Sequence, residues 1–134
     1  MTCYEFIKCG RNKILMINHV VAMKFKPGVS EEEIRDLEKS LDQLPNKIME
    51  IKMYEFGRDV VRSDRSYDFG LVALFANPTA LERYQNHPEH VPVVEKVKAL
   101  CETVVTVDFY GSDASASDAG PPPWDRDPFE KLKL

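Results

Sequence analysis

The chain holds no run of 18 apolar residues, the minimum for a helix that crosses a bilayer. It has no excess of basic charge. Lys and Arg total 18 against 22 Asp and Glu, a net charge of −4, whereas binding nucleic acid through counterion release needs a concentrated basic face. Its three cysteines, Cys3, Cys9 and Cys101, form no CxxC pair. An odd, unpaired count fits a reducing compartment better than a disulfide scaffold. G-x-S-x-G, Walker A and G-x-G-x-x-G motifs are all missing, which leaves hydrolase, NTPase and dinucleotide-binding readings without footing. Lys8, Arg11 and Lys13 precede the apolar stretch Ile14 to Met23, but Asn18 and His19 interrupt it and no small-residue cleavage site follows. A secretory signal is therefore not expected. The expectation is a cytoplasmic protein without a membrane or nucleic-acid partner, with Met1 or Met16 as its start.

What is present is an ordinary globular composition. The 134 residues are 43% hydrophobic and 30% charged, enough for one domain with a real core. Composition divides the chain into an N-terminal extension at 1–15, a periodic region at 16–110 and a tail at 111–134. The tail begins GSDASASDAGPPPWDRDP, a polar, Pro-, Ser- and Asp-rich tract whose composition predicts disorder. Trp124 to Leu134 regains apolar side chains that could dock on a groove.

Within the periodic region, Ile17 to Lys26 reads as a strand with Ile17, His19, Val21, Met23 and Phe25 on one face. Pro27-Gly28 makes a turn. Ser30 and Glu33 form a capping box, and Ile34, Leu37, Leu41 and Leu44 line one helical stripe that Pro45-Asn46 is expected to stop. Strands follow at Ile48 to Gly57 and Tyr67 to Ala76. Asn77-Pro78 opens a short helix through Tyr84, His87-Pro88 breaks it, and Pro92 opens a second helical run carrying Val93, Val94, Val97, Leu100 and Cys101 on one side. Thr103 to Tyr110 is the last strand.

The order is βαββαβ, a ferredoxin-like α+β fold with an antiparallel sheet and helices on one face. Strands one, three and four are apolar on both sides, so the uncovered face would exceed what a monomer tolerates. A second copy related by a two-fold axis covers it most simply. The expectation is a homodimer with sheets packed face to face.

Three histidines are present: His19 on the first strand, and His87 and His90 in the segment Tyr84-Gln85-Asn86-His87-Pro88-Glu89-His90-Val91-Pro92. The positive end of the helix after His90 disfavours an imidazolium. A neutral His90 beside the Tyr84 hydroxyl suits proton abstraction next to a carbonyl. Two other readings stand beside it. His-Pro between helices often serves only to cap and turn, and His19, His87 and His90 are a candidate metal set, although Pro88 breaks the helical register and no Cys or carboxylate completes it. Asp108 pairs or caps at the sheet edge; the pattern leaves this open.

These residues resemble the stress-responsive A/B barrel (Dabb) family over about Ile17 to Tyr110. The resemblance rests on His19-Val20-Val21 with Lys24-Phe25-Lys26, on Leu44-Pro45 with Ile48, on Gly57-Arg58-Asp59, on Tyr84 with His87-Pro88-Glu89-His90-Val91, and on Val107-Asp108-Phe109. It implies a dimeric α/β barrel, with 16–110 as its domain. One plant member cyclises a polyketide by an intramolecular aldol step without a cofactor. By that resemblance Tyr84 and His90 are the catalytic pair, and His19, Phe69 and His87 contact substrate. Phe69 stands where the plant enzyme has a further cavity histidine, a departure that changes the pocket. The implied activity is that of a cofactor-free cyclase or lyase acting on a small apolar or polyketide-like ligand, with no metal. The alternatives are a non-catalytic stress-response or scaffold dimer and a dimeric-barrel monooxygenase, the last by fold analogy alone.

Overall fold

The computed structural model describes residues 15–111. The expected N-terminal extension and the Pro-rich tail lie, apart from Leu15 and Gly111, outside the described residues. Four strands, β1 (Ile17–Phe25), β2 (Met53–Arg58), β3 (Phe69–Phe75) and β4 (Cys101–Tyr110), form one antiparallel sheet in the order β2-β3-β1-β4. Three helices, α1 (Glu31–Lys47), α2 (Pro78–Gln85) and α3 (Val91–Leu100), complete the ferredoxin-like arrangement. Among the described residues no helix is long and apolar enough to cross a membrane.

The period of two along β1 decides what the sheet presents. Ile17, His19, Val21 and Met23 are buried toward the helices. Across the ladder they meet Phe69, Leu71, Ala73 and Phe75 of β3, also buried. On the other face, Val20 and Val72 are half-buried, while Val105, Val107 and Phe109 of β4 expose 45%, 55% and 48% of their surface. The apolar second face expected from the strand pattern is therefore present.

Pro27-Gly28 forms the expected turn, with Gly28 at φ 86° and the Val29 amide reaching the Lys26 carbonyl. At the start of α1, the Glu33 amide donates to the Ser30 hydroxyl at 3.2 Å and the Ser30 amide to the Glu33 carboxylate at 2.8 Å. Leu37, Leu41 and Leu44 bury the stripe. The helix does not stop at Pro45 but continues to Lys47, and Ile48 closes it by donating to the Leu44 carbonyl at 2.9 Å. A proline inside a helix costs about 3 kcal/mol. Burial of Leu41, Leu44 and Ile48, each at most 2% exposed, contributes roughly 1.5–3 kcal/mol per side chain, so packing prevails. Ile48 is thus a cap, and β2 begins only at Met53.

Asn77 caps α2 through the Ala80 amide at 2.8 Å, as expected. The last strand starts directly out of α3, two residues earlier than its β-branched run suggested. Cys101 consequently lies on β4 opposite Phe25 rather than on a helix stripe, and it is buried there. Lys96 ties α3 to α1 through Asp36 at 2.7 Å and Ser40 at 2.6 Å.

Candidate functional site

Between the helices and the sheet lies a cavity of about 270 Å³, walled by side chains from all three helices and all four strands. Most of the wall is aliphatic, from Val21, Met23, Leu41, Leu71, Val93 and Val97. The polar groups are His19, Tyr54, Tyr84, Gln85, His90, Lys98 and Thr106. An apolar enclosure with a few convergent polar groups is the usual form of a small-molecule site, and this one lies just under the typical ~300–1,000 Å³ range.

Each polar group is placed by local structure. His19 is brought inward by the alternation of β1 and is 6% exposed. Register sets it opposite Asp108, whose carboxylate accepts a hydrogen bond from His19 Nδ1; the role of Asp108 left open by the sequence is pairing. Tyr84 follows Leu81 by three residues on α2, so both turn to the core, where they are buried. Its ring packs on Phe75 at 4.8 Å and on His90 at 4.1 Å between centroids, with His19 at 6.1 Å.

The break between α2 and α3 folds His90 back over Tyr84. Pro88 cannot donate to the helical ladder, and the chain instead turns on the His87 carbonyl, which accepts from the amides of His90 at 2.9 Å and Val91 at 3.2 Å. His90 Nδ1 lies 3.3 Å from the Gln85 carbonyl oxygen. A carbonyl can only accept, so Nδ1 carries the proton and the neutral imidazole keeps its lone pair at Nε2. Burial lowers the His90 pKa below its ordinary 6.5. The charges of His19 and His87 act in the same direction, and the Gln85 hydrogen bond opposes them. His90 is also the N-cap residue of α3, with no side-chain capping bond.

Burial pushes the Tyr84 hydroxyl up to about 12, partly offset by a hydrogen bond with Tyr54, so Tyr84 remains a proton donor throughout the neutral range. The two hydroxyl oxygens are 2.9 Å apart. An uncharged imidazole and a protonated phenol in contact on one cavity wall can, respectively, accept a proton from carbon and donate to an oxygen that gains charge.

Of the residues singled out from the sequence, the structure brings Tyr84, His90 and His19 to the same cavity. His87 and Phe69 do not line it. The His87 Nδ1 accepts from the Glu89 amide at 3.1 Å, a turn-closing role. Phe69 is buried in the aromatic core, its ring stacked with Phe56 at 6.1 Å and near Phe25 at 6.0 Å. Among the described residues no three His, Cys, Asp or Glu side chains converge as a metal-binding group. Tyr54 escaped the sequence reading. Its signal was its place two residues before Phe56 on β2, the same face of the same strand.

The model of the stress responsive A/B barrel domain matches residues 17–110. The chain belongs to this family. A stress-response A/B barrel domain-containing protein of Arabidopsis thaliana is 29% identical over 101 residues, covering 74% of this chain and 93% of that protein. Olivetolic acid cyclase of Cannabis sativa is 23% identical over 97 residues, 71% of this chain and 96% of the cyclase. Among solved structures, a dimeric ferredoxin-like protein of unknown function from Thermobifida fusca superposes with a TM-score of 0.68 at 27% identity, covering 72% of this chain and 92% of that one.

Proposed function

We propose that this A/B barrel protein is a homodimer whose cavity takes a small apolar compound bearing three carbonyls and catalyses proton abstraction between two of them, followed by aldol-type ring closure onto the third. The observation that carries the reading is the contact of His90 with Tyr84 on the wall of a largely aliphatic cavity, with the one nitrogen of His90 fixed as a donor. His90 Nε2 takes the proton from the carbon flanked by the carbonyls. The electron pair of that C–H bond moves onto a carbonyl oxygen, where the Tyr84 hydroxyl stabilises the enolate. The enolate carbon then attacks the third carbonyl, further along the same molecule, and His90 returns the proton to the new alkoxide. His19, held by Asp108, lines the cavity. The matched relative named as a cyclase supports a ring-closing reaction. The apolar second face of the sheet and the dimeric structural relative support the two-fold assembly.

The test is deuterium exchange at the central methylene of benzoylacetone, an aryl β-diketone, followed by proton NMR. The wild type should exceed buffer, and His90→Ala should lose about 100-fold or more. A wild type no faster than buffer, or an unimpaired His90→Ala, overturns the reading. The competing reading, a binding dimer without turnover, draws on the internal hydrogen bonds of Tyr84 to Tyr54 and of His90 to Gln85. It requires that benzoylacetone bind without exchange above the buffer rate.

A further inference from the structure

Tyr54 is among the polar groups on the cavity wall to which the scheme above gives no task. Tyr54 reaches the cavity from β2, while Tyr84 reaches it from α2, 30 residues on. Their hydroxyl oxygens are 2.9 Å apart and their rings meet edge to face at 6.2 Å. Either hydroxyl could donate in isolation. A Tyr84 that gives its proton to a carbonyl oxygen in the cavity has only its own oxygen left to offer, so the donor in this pair must then be Tyr54.

We infer that Tyr54 is a positioning residue, whose hydroxyl donates to the Tyr84 oxygen and completes a relay from Tyr54 through Tyr84 to the ligand oxygen. The inference deepens the proton-abstraction reading and rests on it. A phenolic O–H rotates freely unless something holds its oxygen, and the second donor fixes the lone pairs of Tyr84 so that its proton is directed away from Tyr54. Hydrogen bonds in a chain polarise one another, so the Tyr84 proton becomes a stronger donor as charge builds on the ligand. Electrostatics agree with the direction of donation. The Tyr54 bond lowers the Tyr84 pKa against burial, whereas burial and the neighbouring Tyr84 hold Tyr54 far above the ordinary tyrosine range. Both hydroxyls stay protonated across the neutral range, and Tyr54 holds its proton to the higher pH.

A double-mutant cycle on benzoylacetone exchange by the full-length protein tests the relay. Tyr54→Phe retains the ring and its edge contact and removes only the hydroxyl. The expected result is a fall in kcat of about tenfold with KM within about twofold, and no further loss when Tyr54→Phe is added to Tyr84→Phe. An unchanged kcat in Tyr54→Phe, or an equal loss on both backgrounds, overturns the relay. A second measurement does not depend on turnover. In proton NMR the hydroxyl proton between the two rings should exchange slowly with water, show its strongest NOE to the Tyr54 ring and vanish in Tyr54→Phe. A strongest NOE to the Tyr84 ring, or no protected hydroxyl proton, overturns the relay even in a protein inert toward benzoylacetone. Inertness itself overturns only the proton-abstraction reading.

Discussion

Replacing Val107 with Asp should convert the proposed dimer to monomers without unfolding them. Val107 lies on the face of β4 turned away from the helices, flanked at spacing two by Val105 and Phe109, and the three leave about half their surface exposed. Full burial of such a side chain contributes roughly 1.5–3 kcal/mol, so covering the remaining half is worth about 1 kcal/mol each. A two-fold axis doubles every contact, which brings these six side chains to about 6 kcal/mol. Val107→Asp removes about 2 kcal/mol of that and places two carboxylates in the apolar interface, at several kcal/mol each. The cost equals or exceeds the gain. Size-exclusion chromatography with light scattering at micromolar concentration should report a dimer for the wild type and a monomer for Val107→Asp, with thermal unfolding still cooperative. Met49→Asp is the control. Met49 is 89% exposed but sits in the connection from α1 to β2, and its mass should stay dimeric. A dimeric Val107→Asp, or equal dissociation of Met49→Asp, refutes the assignment of this face.

Two further outcomes follow from burial and titration. Leu44 is 2% exposed among Leu41, Ile48 and the sheet, so Leu44→Ala should lose about 2–5 kcal/mol in urea unfolding; a loss under about 1 kcal/mol would mean that α1 does not pack as described. Exchange activity should rise with pH through a single step below the ordinary 6.5 of histidine and stay flat across neutrality, because burial lowers the His90 pKa and Tyr84 does not ionise until about 12. The same shift means that the unfolded chain binds a proton which the folded chain resists, so this group's contribution to stability is lost on acidification, not on alkalinisation. A step above 6.5 would contradict the environment assigned to His90.

The sequence carried the element order, the two apolar sheet faces and the Tyr84–His90 pair, because each is written in local spacing: period two in β1, a capped start for α2, and a proline break that folds His90 back onto Tyr84. What it did not carry are relations across the chain. The His19–Asp108 pair spans 89 positions and depends on the β1–β4 register. Tyr54 meets Tyr84 only because β2 and α2 converge on one cavity. Pro45 misled for a related reason, since a local stop signal yielded to the burial of Leu44 and Ile48. His87 and Phe69 were placed near substrate by resemblance, yet an amide on Glu89 and the rings of Phe25 and Phe56 engage them instead.

The most direct test of the central claim is a structure of the protein with benzoylacetone bound. The expected complex has the central carbon of the diketone against His90 Nε2 and one carbonyl oxygen accepting from the Tyr84 hydroxyl at about 3 Å. A ligand seated elsewhere, or one that touches the aliphatic wall while Tyr84 and His90 face away from it, would contradict a shared site for the two side chains.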